Sequence, residues 1–106
     1  MTDGSVVAKR LREARTRAGL SQKQLGISAG IDEFSASPRI NQYERGKHAP
    51  DYSTVERLAK VLKVPTPFLY TGDDDLAKII LLTGALSPKA RKRVLRRLSS
   101  KKAIPG

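Results

Sequence analysis

The sequence predicts an all-helical fold, and three observations carry that prediction. Apolar residues recur at spacings of three and four, the period of an amphipathic helix. Glycines and Ser/Thr-Pro pairs fall at regular intervals, as they do where helices stop and start. No stretch alternates apolar and polar residues long enough to form a half-buried strand. At 106 residues the chain allows one domain, or a small domain with an appendage.

Each element follows from local chemistry. The first helix is predicted over 5–18, where Val7, Leu11, Ala14 and Ala18 form one apolar stripe and Gly19 stops the run. The second begins at Ser21 with Gln24 three residues on, a pairing in which each side chain satisfies an orphan amide of the other. It turns Leu25 and Ala29 inward and stops near Gly30. The third is predicted to open at Ser37-Pro38, as N-cap and first helical residue, and to run through Arg45 to Gly46. Ile40 and Tyr43 are its only apolar anchors, so most of its surface must face something polar. The fourth, Asp51 to Leu62, places Tyr52, Val55, Leu58, Ala59 and Leu62 in its buried stripe, and Val64-Pro65 breaks it. A short fifth turn, Thr66 to Tyr70, closes at Gly72. Two further helices follow: one marked by Leu76, Ile79, Ile80 and Leu82 behind the acidic run Asp73-Asp74-Asp75, and one started by Ser87-Pro88 with Val94, Leu95 and Leu98 among bases. Gly19, Gly30, Gly46, Gly72 and Gly84 all read as left-handed caps.

Charge is the strongest compositional signal. Twenty-one Lys and Arg against ten Asp and Glu give a net charge of +11, which points to a polyanionic partner. The excess is lopsided: residues 1–75 carry twelve bases and ten acids, whereas 76–106 carry nine bases and no acid. The absence of cysteine excludes disulfides, zinc-thiolate sites and thiol catalysis. With His48 as the single histidine, no Gly-rich phosphate loop and no nucleophile–base–orienter set, neither a cofactor, a metal nor an enzymatic activity is expected. Asp73-Asp74-Asp75 reads as the negative start of a helix rather than a metal patch. No apolar run reaches the roughly 18 residues of a membrane span, and the N-terminus lacks the apolar stretch of a secretion signal, so a cytoplasmic protein is expected.

The predicted third helix carries the function. A helix fits the major groove of B-DNA, where base edges are read by side chains with paired donors and acceptors. Arg39 suits guanine, and Asn41 or Gln42 suits adenine. Ser21 and Gln22 stand at a helix N-terminus, where free amides favour a phosphate, with Lys23 nearby. Contacts of that kind set register without carrying sequence information.

The same residues carry a family resemblance. Arg10 through Arg15, Gly19-Leu20-Ser21-Gln22-x-x-Leu25, Gly30-Ile31, Ile40-x-x-Tyr43-Glu44-Arg45-Gly46-Lys47-x-x-Pro50, Leu58-Ala59-x-x-Leu62-x-Val64 and Phe68-Leu69 resemble the Cro and lambda-repressor-like (XRE) helix-turn-helix family across about residues 6–71. The resemblance implies a five-helix DNA-binding domain with one or two extra C-terminal helices. It implies Ser37 among the base-reading residues and Arg45 and Lys47 on backbone phosphates. It also implies a partly buried ion pair between Arg15 and Glu44. The chain departs from the family in the longer interval between Gly30 and Tyr43. The surplus around Asp32-Glu33-Phe34-Ser35 reads as an inserted loop that carries Phe34 to the domain edge, with two acids that would repel phosphate.

The expected organisation is therefore a DNA-binding domain over 1–71, a helical extension over 72–99 and a flexible basic tail over 100–106. In the extension, Leu76, Ile79, Ile80, Val94 and Leu98 exceed what a five-helix domain needs; they either fold back on the same domain or, the favoured expectation, pair two copies as a homodimer on a palindromic DNA operator. The leading expectation is a sequence-specific transcriptional regulator that represses. The alternative is a protein-interaction module, such as an antitoxin that binds a toxin through its C-terminal helices. RNA binding lacks a stacking platform.

Overall fold

The structure, a computed structural model, describes residues 3–101. All regular structure among them is helical: α1 (Asp3–Ala18), α2 (Gln22–Ser28), α3 (Glu33–Glu44), α4 (Tyr52–Leu62), a 3-10 turn (Thr66–Tyr70), α5 (Asp74–Gly84) and α6 (Pro88–Lys101). The basic tail expected over 100–106 lies almost wholly outside the described residues. No described helix is long and apolar enough to cross a membrane.

Local caps set most boundaries. Ser21 accepts from the Gln24 amide at 3.0 Å while the Gln24 side chain accepts from the Ser21 amide at 2.8 Å, completing the reciprocal box. Asp51, Asp73 and Ser87 each accept from the amide three residues on, at 2.9, 2.8 and 3.1 Å. Gly19, Gly30 and Gly46 take positive φ, whereas Gly72 and Gly84 do not. Gly84 answers to packing instead, because a Cβ there would sit 2.5 Å from the Pro65 ring. Lys63, at φ 59°, supplies the left-handed cap of α4.

The core sits where α1–α4 and the 3-10 turn meet. Leu11, Leu25, Ile40, Val55, Leu58, Phe68 and Leu69 are fully buried there, each stabilising the fold by about 1.5–3 kcal/mol through removal of apolar surface from water. Two expected core residues are not in it. Ala18 is exposed at the C-terminal end of α1, and Tyr52 leaves the α4 stripe to stack on Tyr70 with ring centroids 6.3 Å apart.

The core also continues past residue 71. Ala77 of α5 is buried within it, and Ile80 and Leu81 pack against its edge. Arg10 makes this junction. Its guanidinium, 4% exposed, donates to the carbonyls of Thr71 and Gly72 at 2.7 and 3.0 Å, to Asp74 at 2.9 Å and to Glu13 at 3.0 Å. It also lies 5.7 Å from the centre of the Phe68 ring. Residues 71–73 are thus a braced corner rather than a loose linker. At the far end of α5, Arg91 donates to the carbonyls of Thr83, Gly84 and Leu86 at 3.0–3.3 Å, holding α6 to the negative end of the helix dipole.

Candidate nucleic-acid interface

The interface is built on how α3 begins. The sequence places its start at Ser37-Pro38, but α3 starts a full turn earlier, with Asp32 as N-cap accepting from the Phe34 amide at 3.0 Å. Asp32 to Ser35 is therefore not a loop but the cap and first turn of the helix, and Ser37 and Pro38 lie inside it. A proline at this depth removes one backbone hydrogen bond and crowds the carbonyl four residues back. Here Pro38 and Phe34 both face solvent, so the lost bond falls on the wet side of the helix.

Packing on the opposite side offsets that cost. Ala36, Ile40 and Tyr43 form the inner face of α3 and are all buried. Ala36 meets Gly26 of α2 so closely that a Cβ on Gly26 would lie 2.7 Å from the Ala36 Cβ and 3.0 Å from its Cα. Glycine at 26 is what allows α2 and α3 to cross at this distance. The contact pins the first half of α3, including its added turn.

A polar relay fixes the other end. Arg15 of α1 forms a two-point ion pair with Glu44 through Nε at 2.5 Å and Nη2 at 3.0 Å, and donates to the Leu20 carbonyl at 2.9 Å. Gln22 Nε2 donates to Glu44 at 3.2 Å and to Asn41 Oδ1 at 3.3 Å. The Glu44 side chain is 4% exposed and that of Arg15 17%. The bond to Glu44 holds the Arg15 guanidinium above its already high ordinary pKa, against the opposing effect of burial. Arg15, Gln22, Asn41 and Glu44 thus lock α1, α2 and α3 into one orientation. Among the described residues no buried side-chain nitrogen or oxygen lacks a partner.

The remaining candidate residues fall around this scaffold. Arg39, Arg45, Lys47, Lys23 and Ser21 are exposed, while Ser37, Gln22, Asn41 and Gln42 are half-buried. Arg39, Gln42, Arg45, Lys47 and Lys23 make no side-chain hydrogen bond or ion pair among the described residues, so their donors are available to a ligand. Ser21 is engaged as a cap and Gln22 in the relay, so both side chains already have partners within the domain. On α5 and α6, Leu76, Ile79 and Leu98 are exposed and Val94 is half-buried, but Ile80 is turned toward the core.

Three further residues shape the site with little local trace in the sequence. Gly26 looks like an ordinary helix-interior glycine, and only the crossing explains it. Arg10 stands beside Val7, Leu11 and Ala14 on the inward stripe of α1, a position that could have marked it as a buried cation. Arg57 donates to the Ala29 carbonyl at 3.0 Å and so closes the end of α2.

Comparison with known proteins supports the helical fold. The sequence profile of a helix-turn-helix domain matches residues 7–67. An uncharacterized HTH-type transcriptional regulator of Sinorhizobium medicae is 34% identical over 64 residues, 60% of this chain and 43% of that protein. The HTH-type transcriptional regulator ImmR of Bacillus subtilis is 33% identical over 72 residues, 68% of this chain and 53% of that protein. The chain spans about half the length of the curated relatives it matches. Among solved structures, the transcriptional regulator BswR superposes with a TM-score of 0.83 at 50% identity, covering 88% of this chain and 92% of that one.

Proposed function

The chain belongs to the helix-turn-helix domain family, and from that premise we propose that it is a sequence-specific DNA-binding transcriptional regulator, acting as a repressor. The carrying observation is the outer side of α3. It presents donors without protein partners at Arg39, Gln42 and Arg45, on a helix whose position is locked by Gly26–Ala36 packing and by the Arg15–Glu44 pair. α3 lies in the major groove, with Ser37, Arg39, Asn41 and Gln42 toward base edges. Ser21, Gln22, Lys23, Arg45 and Lys47 flank it and contact phosphates.

Two copies bind a palindromic operator. The exposed apolar row of Leu76, Ile79 and Leu82 on α5, with Leu95 and Leu98 on α6, supports pairing with a second copy, since a monomer gains nothing by leaving it in water. Repression follows from occupancy, which excludes polymerase from the operator. With bacterial relatives, its place is the cytoplasm, beside the chromosome.

Selection of bound sites from a random duplex library, followed by salt-dependent binding, tests this reading. The enriched duplex is expected to beat bulk DNA by at least about a thousandfold. Lys47→Ala should lower the salt slope by about 0.9 and weaken all sequences alike, whereas Gln42→Ala should cost about 1–3 kcal/mol on the enriched site only. Equal losses on random and enriched DNA for both variants would contradict specific readout.

A further inference from the structure

Phe34 is 86% exposed, the most solvent-exposed large apolar residue of the described chain. Nothing in the packing of the domain uses it. It does not stand on a loose loop, because the Asp32 cap and the Gly26–Ala36 contact fix the turn that carries it. Ala36, two residues on, is buried against α2, and two helical steps of about 100° each place Phe34 on the opposite, outward side. Phe34, Pro38, Asn41 and Arg45 follow at spacings of four, three and four, so they form one line along the outer face of α3.

Of that line, the stretch from Phe34 to Asn41 is what a helix laid in the major groove shows to the bases, while Arg45 at its end reaches the backbone. The major groove offers an aromatic side chain one apolar counterpart, the C5 methyl group of thymine. Asp32 and Glu33 are acceptor-only carboxylates, so this turn does not seat a phosphate, and the apolar ring is what it can offer a base edge.

We propose that Phe34 is a specificity-determining residue that packs on the 5-methyl group of one thymine in each half-site, read by the turn that lengthens α3. The contact rests on the DNA-reading function above and deepens it, since it names a base at a position where the side chain can form no hydrogen bond.

The test uses the full chain and the duplex enriched from a random library, with each thymine replaced in turn by uracil, which lacks only the methyl group. At one thymine per half-site the substitution should weaken wild-type binding about fourfold, the worth of one buried methyl group. Phe34→Ala should bind the thymine duplex more weakly by at least the same factor and should not distinguish uracil from thymine at that position. Its thermal melt should match the wild type, because the ring is not in the core. A series in which no thymine position separates wild type from Phe34→Ala overturns the contact while leaving DNA reading intact. A library that yields no enriched duplex removes the DNA-reading function, and the contact with it.

Discussion

α3 and α6 are both polar helices in a strongly basic chain, yet they are held in opposite ways. α3 buries Ala36, Ile40 and Tyr43 and is braced at its end through Glu44, so the backbone that carries each outward side chain has a fixed position. α6 carries Lys89, Arg91, Lys92, Arg93, Arg96 and Arg97 but buries nothing completely, and its leucines at 95 and 98 are exposed. Charge and readout are therefore separable. A cationic helix attracts any phosphate backbone, whereas discrimination among bases needs donors held in place by packing behind them. In this molecule the larger charge density sits on α6 and the better positioning on α3.

Stability separates the two helices most strongly. Ile40→Ala, at a fully buried site, should cost about 2–5 kcal/mol in denaturant unfolding. In contrast, Ile79→Ser and Leu98→Ser should each stay within about 0.5 kcal/mol in dilute, monomeric protein. The pair of surface substitutions should instead lower the sedimenting mass from dimer to monomer at high concentration. Destabilisation of the dilute monomer by Leu98→Ser to the degree of Ile40→Ala would show α6 to be as tightly packed as α3.

The smallest effect concerns the braced corner between the two regions. The hydrogen bond from Arg10, and then that from Lys9, hold the Asp74 carboxyl below the usual carboxylate range. A depressed native pKa stabilises the fold above the unfolded value of about 4, and the benefit is lost as pH falls through the native value. The melting temperature of Asp74→Asn should therefore lie below that of the wild type at pH 7, and the gap should close below about pH 4. A gap that persists unchanged at pH 2–3 would mean that the Arg10–Asp74 bond does not stabilise the corner.

Legibility in the sequence tracked the distance over which each cause acts. The Ser21–Gln24 box and the Asp51, Asp73 and Ser87 caps act across three residues, and their positions could be read directly. The start of α3 could not. Two local signals compete there, the Asp32 cap and the Ser37-Pro38 pair, and the choice between them rests on the contact of Ala36 with Gly26 in the folded crossing of α2 and α3. Arg10 joins residues 61 and 64 positions away, so its role has no local trace beyond its place on the inward stripe of α1. The apolar stripe of α5 was legible as a pattern, but not the split that turns Ile80 to the core and leaves Ile79 in water. In the candidate interface, the donors of α3 were visible as residue types, while the relay that fixes Asn41 and Glu44 through Gln22 was not.

If the outer face of α3 meets the bases, as proposed, and the more basic α6 does not, amide chemical-shift mapping during titration with the enriched duplex will show it. The largest perturbations are expected over residues 33–47 and at the start of α2, with weaker, salt-sensitive changes in α6. Perturbations confined to α5 and α6, with α3 unmoved, would contradict the account.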